Sequence, residues 1–144
     1  MKRKTSTLSP VDKVLCLQGV DVFKHATTEM LAFIGSIAEE IELPEGGAIF
    51  MEEDVSDAMY VVVKGRVCLQ KGNEEVMTVD EGHSFGTWAL FDRQPRFMTA
   101  IAVDSVHLLR IRSDDFYELL SDHEEIIPVM FRAIVDRVKT LIPV

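Results

Sequence analysis

The sequence predicts a mainly β fold with flanking helices, a jelly-roll-like β-roll (double-stranded β-helix), and three observations carry that expectation. Short apolar pieces between Ile41 and Ile111 are separated by turn signals roughly every 8 to 12 residues. The run Tyr60-Val61-Val62-Val63 is too apolar to leave one face in water, so it suits packed sheets rather than a half-solvated one. Helical spacing behind capping residues marks the segments before and after this stretch. The expected organisation is one domain over residues 1–144, with an N-terminal helical segment at about 9–40, a roll at about 41–112 and C-terminal helices at about 113–142.

Each element has a local reason. In "SPVDKVL", Ser9 serves as N-cap, Pro10 stands in the first turn and Asp12 complements the helix dipole. Thr27 or Thr28 caps a second helix, whose apolar positions Met30, Leu31, Phe33, Ile34 and Ile37 follow helical spacing. Strands begin near Ile41, where "ELPEGGAIFM" sets a proline and two glycines between apolar pieces. "AMYVVVKGRVCLQKGNEEVMTV" reads as three strands, with Gly65 dividing the first two and "KGNE" turning a hairpin between the second and third. "TAIAVDSVHLLRI" supplies two more. Ser113 is expected to cap the helix "DDFYELLS". The last helix starts near Pro128 and carries Ile127, Met130, Phe131, Ile134, Val138 and Leu141, a stripe expected to pack on the roll, with pairing to a second copy as the alternative.

Composition narrows the function. Apolar residues make up 47% and charged residues 27%, ordinary for a globular chain. No apolar run reaches the roughly 18 residues that a membrane helix needs, and "MKRKTSTLSP" lacks the apolar centre of a signal peptide, so a cytoplasmic location is expected. The net charge is −9, and no Lys or Arg occurs from His25 to Val63, where Glu39, Glu40, Glu42, Glu45, Glu52, Glu53, Asp54 and Asp57 fall. That acidic run reads as a solvated face that disfavours direct nucleic-acid binding. It lacks the ligand spacing of a calcium-binding loop around Asp54 and Asp57. Cys16 and Cys68 form no metal or redox motif and read as two reduced thiols. His25, His83, His107 and His123 are scattered, with no metal-ligand spacing, and no nucleophile has an evident base. A metal-free binding domain is expected rather than an enzyme.

The stretch "FGTWALFDRQPRFMTA", Phe85 to Ala100, has the chemistry of an anion site: a glycine that admits close backbone approach, a short apolar turn and an arginine. With "VLCLQGVDVF", "LPEGGAIFMEEDVSDAMYVVVKGRV", "EGHSFG", "ALFDRQPR" and "LLRIRSDDFYELL" in order, the chain resembles the cyclic nucleotide-binding domain family from about Val14 to Val138. The resemblance implies a regulatory, ligand-sensing domain for cAMP or cGMP. Its phosphate-binding cassette would comprise Phe85, Gly86, Thr87, Trp88, Ala89, Arg96, Phe97 and Met98, with Leu90 and Pro95 also matching. No cofactor is required.

Three positions depart from the family pattern. Thr87 replaces the acid that accepts from the ribose 2′-hydroxyl, and the large Phe97 and Met98 follow the arginine where small residues are usual. Because strand neighbours face opposite ways, one of those two is expected to point into the pocket and fill it, with Trp88 capping the same cavity. Arg96 could then be spent on an internal ion pair with Asp92. The second function in view is a protein-interaction or dimerisation module of the same fold, pairing through the C-terminal helix. Relatives attach an output domain, and the six residues after Val138 hold none, so a fused or partner domain is expected to supply it.

Overall fold

Ser9 opens α1 (Pro10–Gln18) as expected: its side chain accepts from the Asp12 amide, and Asp12 returns the bond to the Ser9 amide. This computed structural model describes residues 2–3 and 7–142. A 3-10 turn at Asp21–Phe23 buries Val22 and Phe23, and Thr27 caps α2 (Thr28–Ser36) through the Met30 amide.

The strands are β1 (Lys2–Arg3), β2 (Glu39–Leu43), β3 (Ala48–Phe50), β4 (Ala58–Lys64), β5 (Val67–Lys71), β6 (Glu74–Val79), β7 (Ser84–Phe85), β8 (Thr99–Ala102) and β9 (Val106–Arg112). They form two antiparallel sheets, ordered β1-β2-β9-β4-β7 and β3-β8-β5-β6. Gly65 and the "KGNE" turn separate β4, β5 and β6 where the sequence predicts. The architecture is the expected β-roll with flanking helices. β1 had no periodic signal to read, because two residues pairing with Glu42 and Ile41 at a sheet edge make no pattern.

β4 and β9 are apolar on both faces, which explains the continuous run. Ala58, Tyr60, Val62, Val106 and Leu108 face the roll interior with Ile41, Val67, Phe85 and Ala100. Met59, Val61, Leu109 and Ile111 face the other way, into a second core with α1, α2, α3 (Ser113–Asp122) and α4 (Ile126–Leu141). Full burial of each large apolar side chain contributes about 1.5–3 kcal/mol, so the β4–β9 pair anchors both cores.

Three expectations are corrected. Ser113 does not cap α3. It is the first helical residue, and its hydroxyl donates to the Ala89 carbonyl at 2.6 Å. The α4 stripe divides: Ile126, Met130 and Ala133 pack in the helical core, Val129 is buried, Ile134 is half-buried, and Ile127, Phe131, Val135, Val138 and Leu141 lie exposed. The acidic run is only partly a solvated face. Glu45, Glu53, Asp54 and Asp57 are exposed, but Glu40 is 3% exposed. Its carboxylate accepts from the Thr7 amide (2.8 Å), the Thr7 hydroxyl (3.0 Å) and the Leu8 amide (3.2 Å), and meets His107 Nε2 at 2.9 Å. Four partners are how a carboxylate survives burial. Glu39, half-buried, accepts from Arg112 Nε at 2.8 Å.

Candidate ligand site

The cassette begins where β7 ends. Phe85 pairs with Tyr60 on β4 and their rings stack at 5.3 Å, which fixes the strand end against the roll wall. Gly86 then takes φ +67°, a left-handed turn that a side chain would strain, and a Cβ there would sit 2.7 Å from Arg96 Nη1. A 3-10 turn follows at Thr87–Leu90, held down by buried Ala89 and Leu90.

The chain returns through Pro95 to Arg96. Its backbone is pinned on both sides to the β3–β4 connection: the Arg96 amide donates to Asp54 O at 2.7 Å, and the Glu53 amide donates to Arg96 O at 2.9 Å. Glu53 holds a left-handed φ of 72° there, a strained position for a non-glycine.

The Arg96 side chain is 5% exposed. Nη2 donates to Ala58 O at 2.5 Å, Nη1 makes a long 3.5 Å contact to Gly86 O, and the guanidinium carbon lies 4.0 Å from the Phe50 ring centre. Its ion-pair partner is exposed Asp57 at 3.8 Å, not Asp92 as the sequence suggested; the Asp92 carboxylate accepts instead from the Gln94 amide at 3.2 Å. Burial pulls the Arg96 pKa below the ordinary arginine value, while Tyr60 and Asp57 oppose that shift. Among the described residues its buried Nε has no hydrogen-bond partner. A buried charge with an idle donor is costly and leaves capacity for an incoming acceptor.

Gly86, Thr87, Trp88, Ala89 and Arg96 line a cavity of about 520 Å³ with Phe85 at its wall. Ligand cavities commonly have volumes of about 300–1,000 Å³. Thr87 points its hydroxyl 3.3 Å from the Ser84 hydroxyl. The expectation that a large residue fills the space is corrected. Phe97 is 69% exposed at the rim, where Lys71 Nζ sits 4.2 Å from its ring and donates to its carbonyl at 3.1 Å. Residues 97–98 form a bend rather than a strand, so strict alternation does not apply; Met98 lies half-buried at the wall. Trp88 is exposed rather than a sealed cap, with Arg137 of α4 5.5 Å from its ring.

Several contributors escaped sequence reading. Phe50 and Tyr60 carry the ring contacts to Arg96 from strands remote in sequence, and Arg137 reaches the cavity wall from α4. Ser113 binds the cassette turn from the start of α3. None had a local motif. His25, His83, His107 and His123 do not converge here. His25 meets Asp136 at 2.5 Å and His123 stacks on Phe33 at 3.8 Å. Among the described residues no group of three or more His, Cys, Asp or Glu could hold a metal ion, and no helix is long and apolar enough to cross a membrane.

A model of the cyclic nucleotide-binding domain matches residues 40–123, which span the roll, the cassette and α3. The chain belongs to that family. Curated relatives include the CRP-like cAMP-activated global transcriptional regulator of Mycobacterium tuberculosis, 22% identical over 90% of this chain and 59% of that protein. Another is the cAMP-dependent protein kinase regulatory subunit of Aspergillus niger, 32% identical over 66% of this chain and 24% of that protein. The chain thus spans less than two thirds of these relatives. Among solved structures, the N-terminal domain of a transcriptional regulator from Streptomyces coelicolor is 26% identical with a TM-score of 0.84, covering 89% of this chain and 95% of that one. The regulatory domain of Toxoplasma gondii PKA, solved with cAMP, shares the fold at 22% identity and a TM-score of 0.72, over 83% of this chain and 48% of that one.

Proposed function

We infer that this cyclic nucleotide-binding domain is a regulatory sensor whose cavity takes cAMP or cGMP through the cyclic phosphate, with reduced affinity. One observation carries the reading: a 5%-exposed arginine whose Nε has no partner among the described residues lies at the wall of a cavity of about 520 Å³. A phosphate monoanion would engage the spare donors of Arg96 and would offset its burial. The first amides of the 3-10 turn, which have no acceptor within the turn, would add to the cradle, and Gly86 would admit the phosphate to the backbone. Thr87 is the weak point. Its hydroxyl bonds Ser84, and losing a carboxylate hydrogen bond of about 1.5–3 kcal/mol would lower affinity roughly ten- to a hundredfold. Met98 narrows the wall without closing it. The domain would bind rather than catalyse and would work in the cytoplasm on a fused or partner output domain, with no direct nucleic-acid contact of its own.

The test is an amide NMR titration with cAMP and then cGMP up to millimolar concentration. Saturable shifts at Gly86, Thr87 and Arg96 that disappear in Arg96→Ala are expected. Their absence at millimolar ligand in the unmodified protein would end the nucleotide reading.

A second reading rests on α4. Phe131, Val135, Val138 and Leu141 are exposed at spacings of four, three and three residues, one continuous apolar face. It would serve as a dimerisation or protein-interaction seam, with a second copy as the first occupant. Sedimentation of the unmodified chain against Phe131→Glu should then show a dimer converting to monomer; a monomer in both cases would remove this reading.

A further inference from the structure

Ser113 is 1% exposed, and it touches neither the cavity nor Arg96 directly. It begins α3, yet the N-cap position is Arg112, which makes no capping bond. Two hydrogen bonds leave Ser113 for separate segments. Its Oγ donates to the carbonyl of Ala89 in the cassette turn at 2.6 Å, and its amide donates to the carbonyl of Asp57 at 2.8 Å.

These bonds close a ring. From Ala89 the path returns to Gly86, whose carbonyl accepts from the Ala89 amide at 3.2 Å. The same carbonyl faces Arg96 Nη1 at 3.5 Å. Arg96 Nη2 donates at 2.5 Å to Ala58 O, and Ala58 follows Asp57, whose carbonyl holds Ser113. Apart from Arg96 and Ser113, each link is a backbone group. The arginine at the cavity wall and the first residue of α3 therefore sit on one circuit of contacts, of which the one from Arg96 to Gly86 is the longest.

We propose that Ser113 is a positioning residue that fixes the Arg96 guanidinium beside the cavity and carries a change at Arg96 to the start of α3. The proposal rests on the cyclic nucleotide reading only for the identity of the ligand. An anion that draws the guanidinium away from Ala58 O frees the end of β4. The Asp57 carbonyl moves with it, and so does the Ser113 amide bonded to that carbonyl. Phe116 and Leu119 of α3 share their core with Ile126 and Met130 of α4, so a shift at Ser113 reaches α4 through packed side chains.

Two readouts on the 15N-labelled chain test this, one without ligand. Unliganded, Ser113→Ala should move the Arg96 Nε–H resonance and speed its exchange with solvent about tenfold, while Ser113→Thr, which keeps the hydroxyl, restores both. With cAMP, the unmodified chain should show shifts at Gly86 and Thr87 together with shifts at Ser113–Phe116. Ser113→Ala should lose the second set and bind roughly three- to tenfold more weakly. If Ser113→Ala does not fold, Ser113→Cys, close in size with a weak donor, gives the same readouts.

An Arg96 Nε–H signal unmoved in Ser113→Ala overturns the proposal, whatever cAMP does. A moved signal with no cAMP response in the unmodified chain would remove the nucleotide reading and leave Ser113 as the residue that positions Arg96. Saturable binding through Arg96 with the α3 response intact in Ser113→Ala would remove the relay while the nucleotide reading stands.

Discussion

Replacing Gly86 with alanine separates backbone strain from the packing of Arg96, provided Gly82→Ala is measured beside it. Both glycines hold left-handed backbone, φ +67° at Gly86 and +85° at Gly82. A Cβ on Gly82 meets nothing within 4 Å, so that variant carries the conformational term alone. The left-handed region costs an alanine about 1–2 kcal/mol, partly offset by about 0.4–1 kcal/mol from the stiffer unfolded chain. Gly82→Ala should therefore lose roughly 0.5–1.5 kcal/mol. A Cβ on Gly86 would lie 2.7 Å from Arg96 Nη1. Arginine ends are usually free to swing aside, but this one is held by its bond to Ala58 O and its stacking on Phe50. Displacing it forfeits a charge-assisted hydrogen bond of about 1.5–3 kcal/mol, so Gly86→Ala should lose about 2–4 kcal/mol in all. Urea denaturation of both variants measures the difference. Equal losses at the two glycines would refute the claim that Arg96 is packed against Gly86 in solution.

Three further outcomes follow from other parts of the molecule. Thr87→Glu, which returns a carboxylate to the cassette turn, should raise cAMP affinity roughly ten- to a hundredfold by calorimetry. Glu40→Ala takes an acceptor from His107, Thr7 and Leu8 and should cost about 1–3 kcal/mol or more in thermal or urea unfolding, as buried polar groups losing a partner do. Asp136 has its pKa held below the ordinary 3.8 by the His25 hydrogen bond and then by Lys24. A depressed carboxylate stabilises the fold above the unfolded-state pKa and loses that contribution as pH falls through the folded-state value. The denaturation midpoint should therefore fall more steeply with acid below pH 4 in the unmodified chain than in Asp136→Asn.

Sequence reading recovered what rests on local pattern. Gly65 and the "KGNE" turn divide β4, β5 and β6 because those positions need glycine or turn chemistry whatever surrounds them, and Ser9 and Thr27 cap helices through bonds spanning three residues. It failed where a residue's partner is distant. Ser113 has the composition of a cap, but the nearby Ala89 carbonyl takes its hydroxyl. Glu40 sits among acids that face water, yet strand alternation turns it inward to His107, 67 residues away. Gly86 and Arg96 were legible as an anion-binding pair; that Arg96 would lie against Phe50 and face Asp57 was not, because β3 and the β3–β4 connection meet it only in the folded roll.

The β4–β9 pair is a party wall between two rooms. Met59 and Val61 belong to the helical side and Tyr60 and Val62 to the roll, on the same few residues of backbone. Neither room can be refurnished alone. A bulkier side chain in the roll pushes the wall toward α1 and α2, and a cavity cut beneath the helices lets it sag away from the roll interior. Substitutions on the helical face of β4, at Met59 or Val61, should consequently alter the dimensions of the cavity without replacing any residue that lines it.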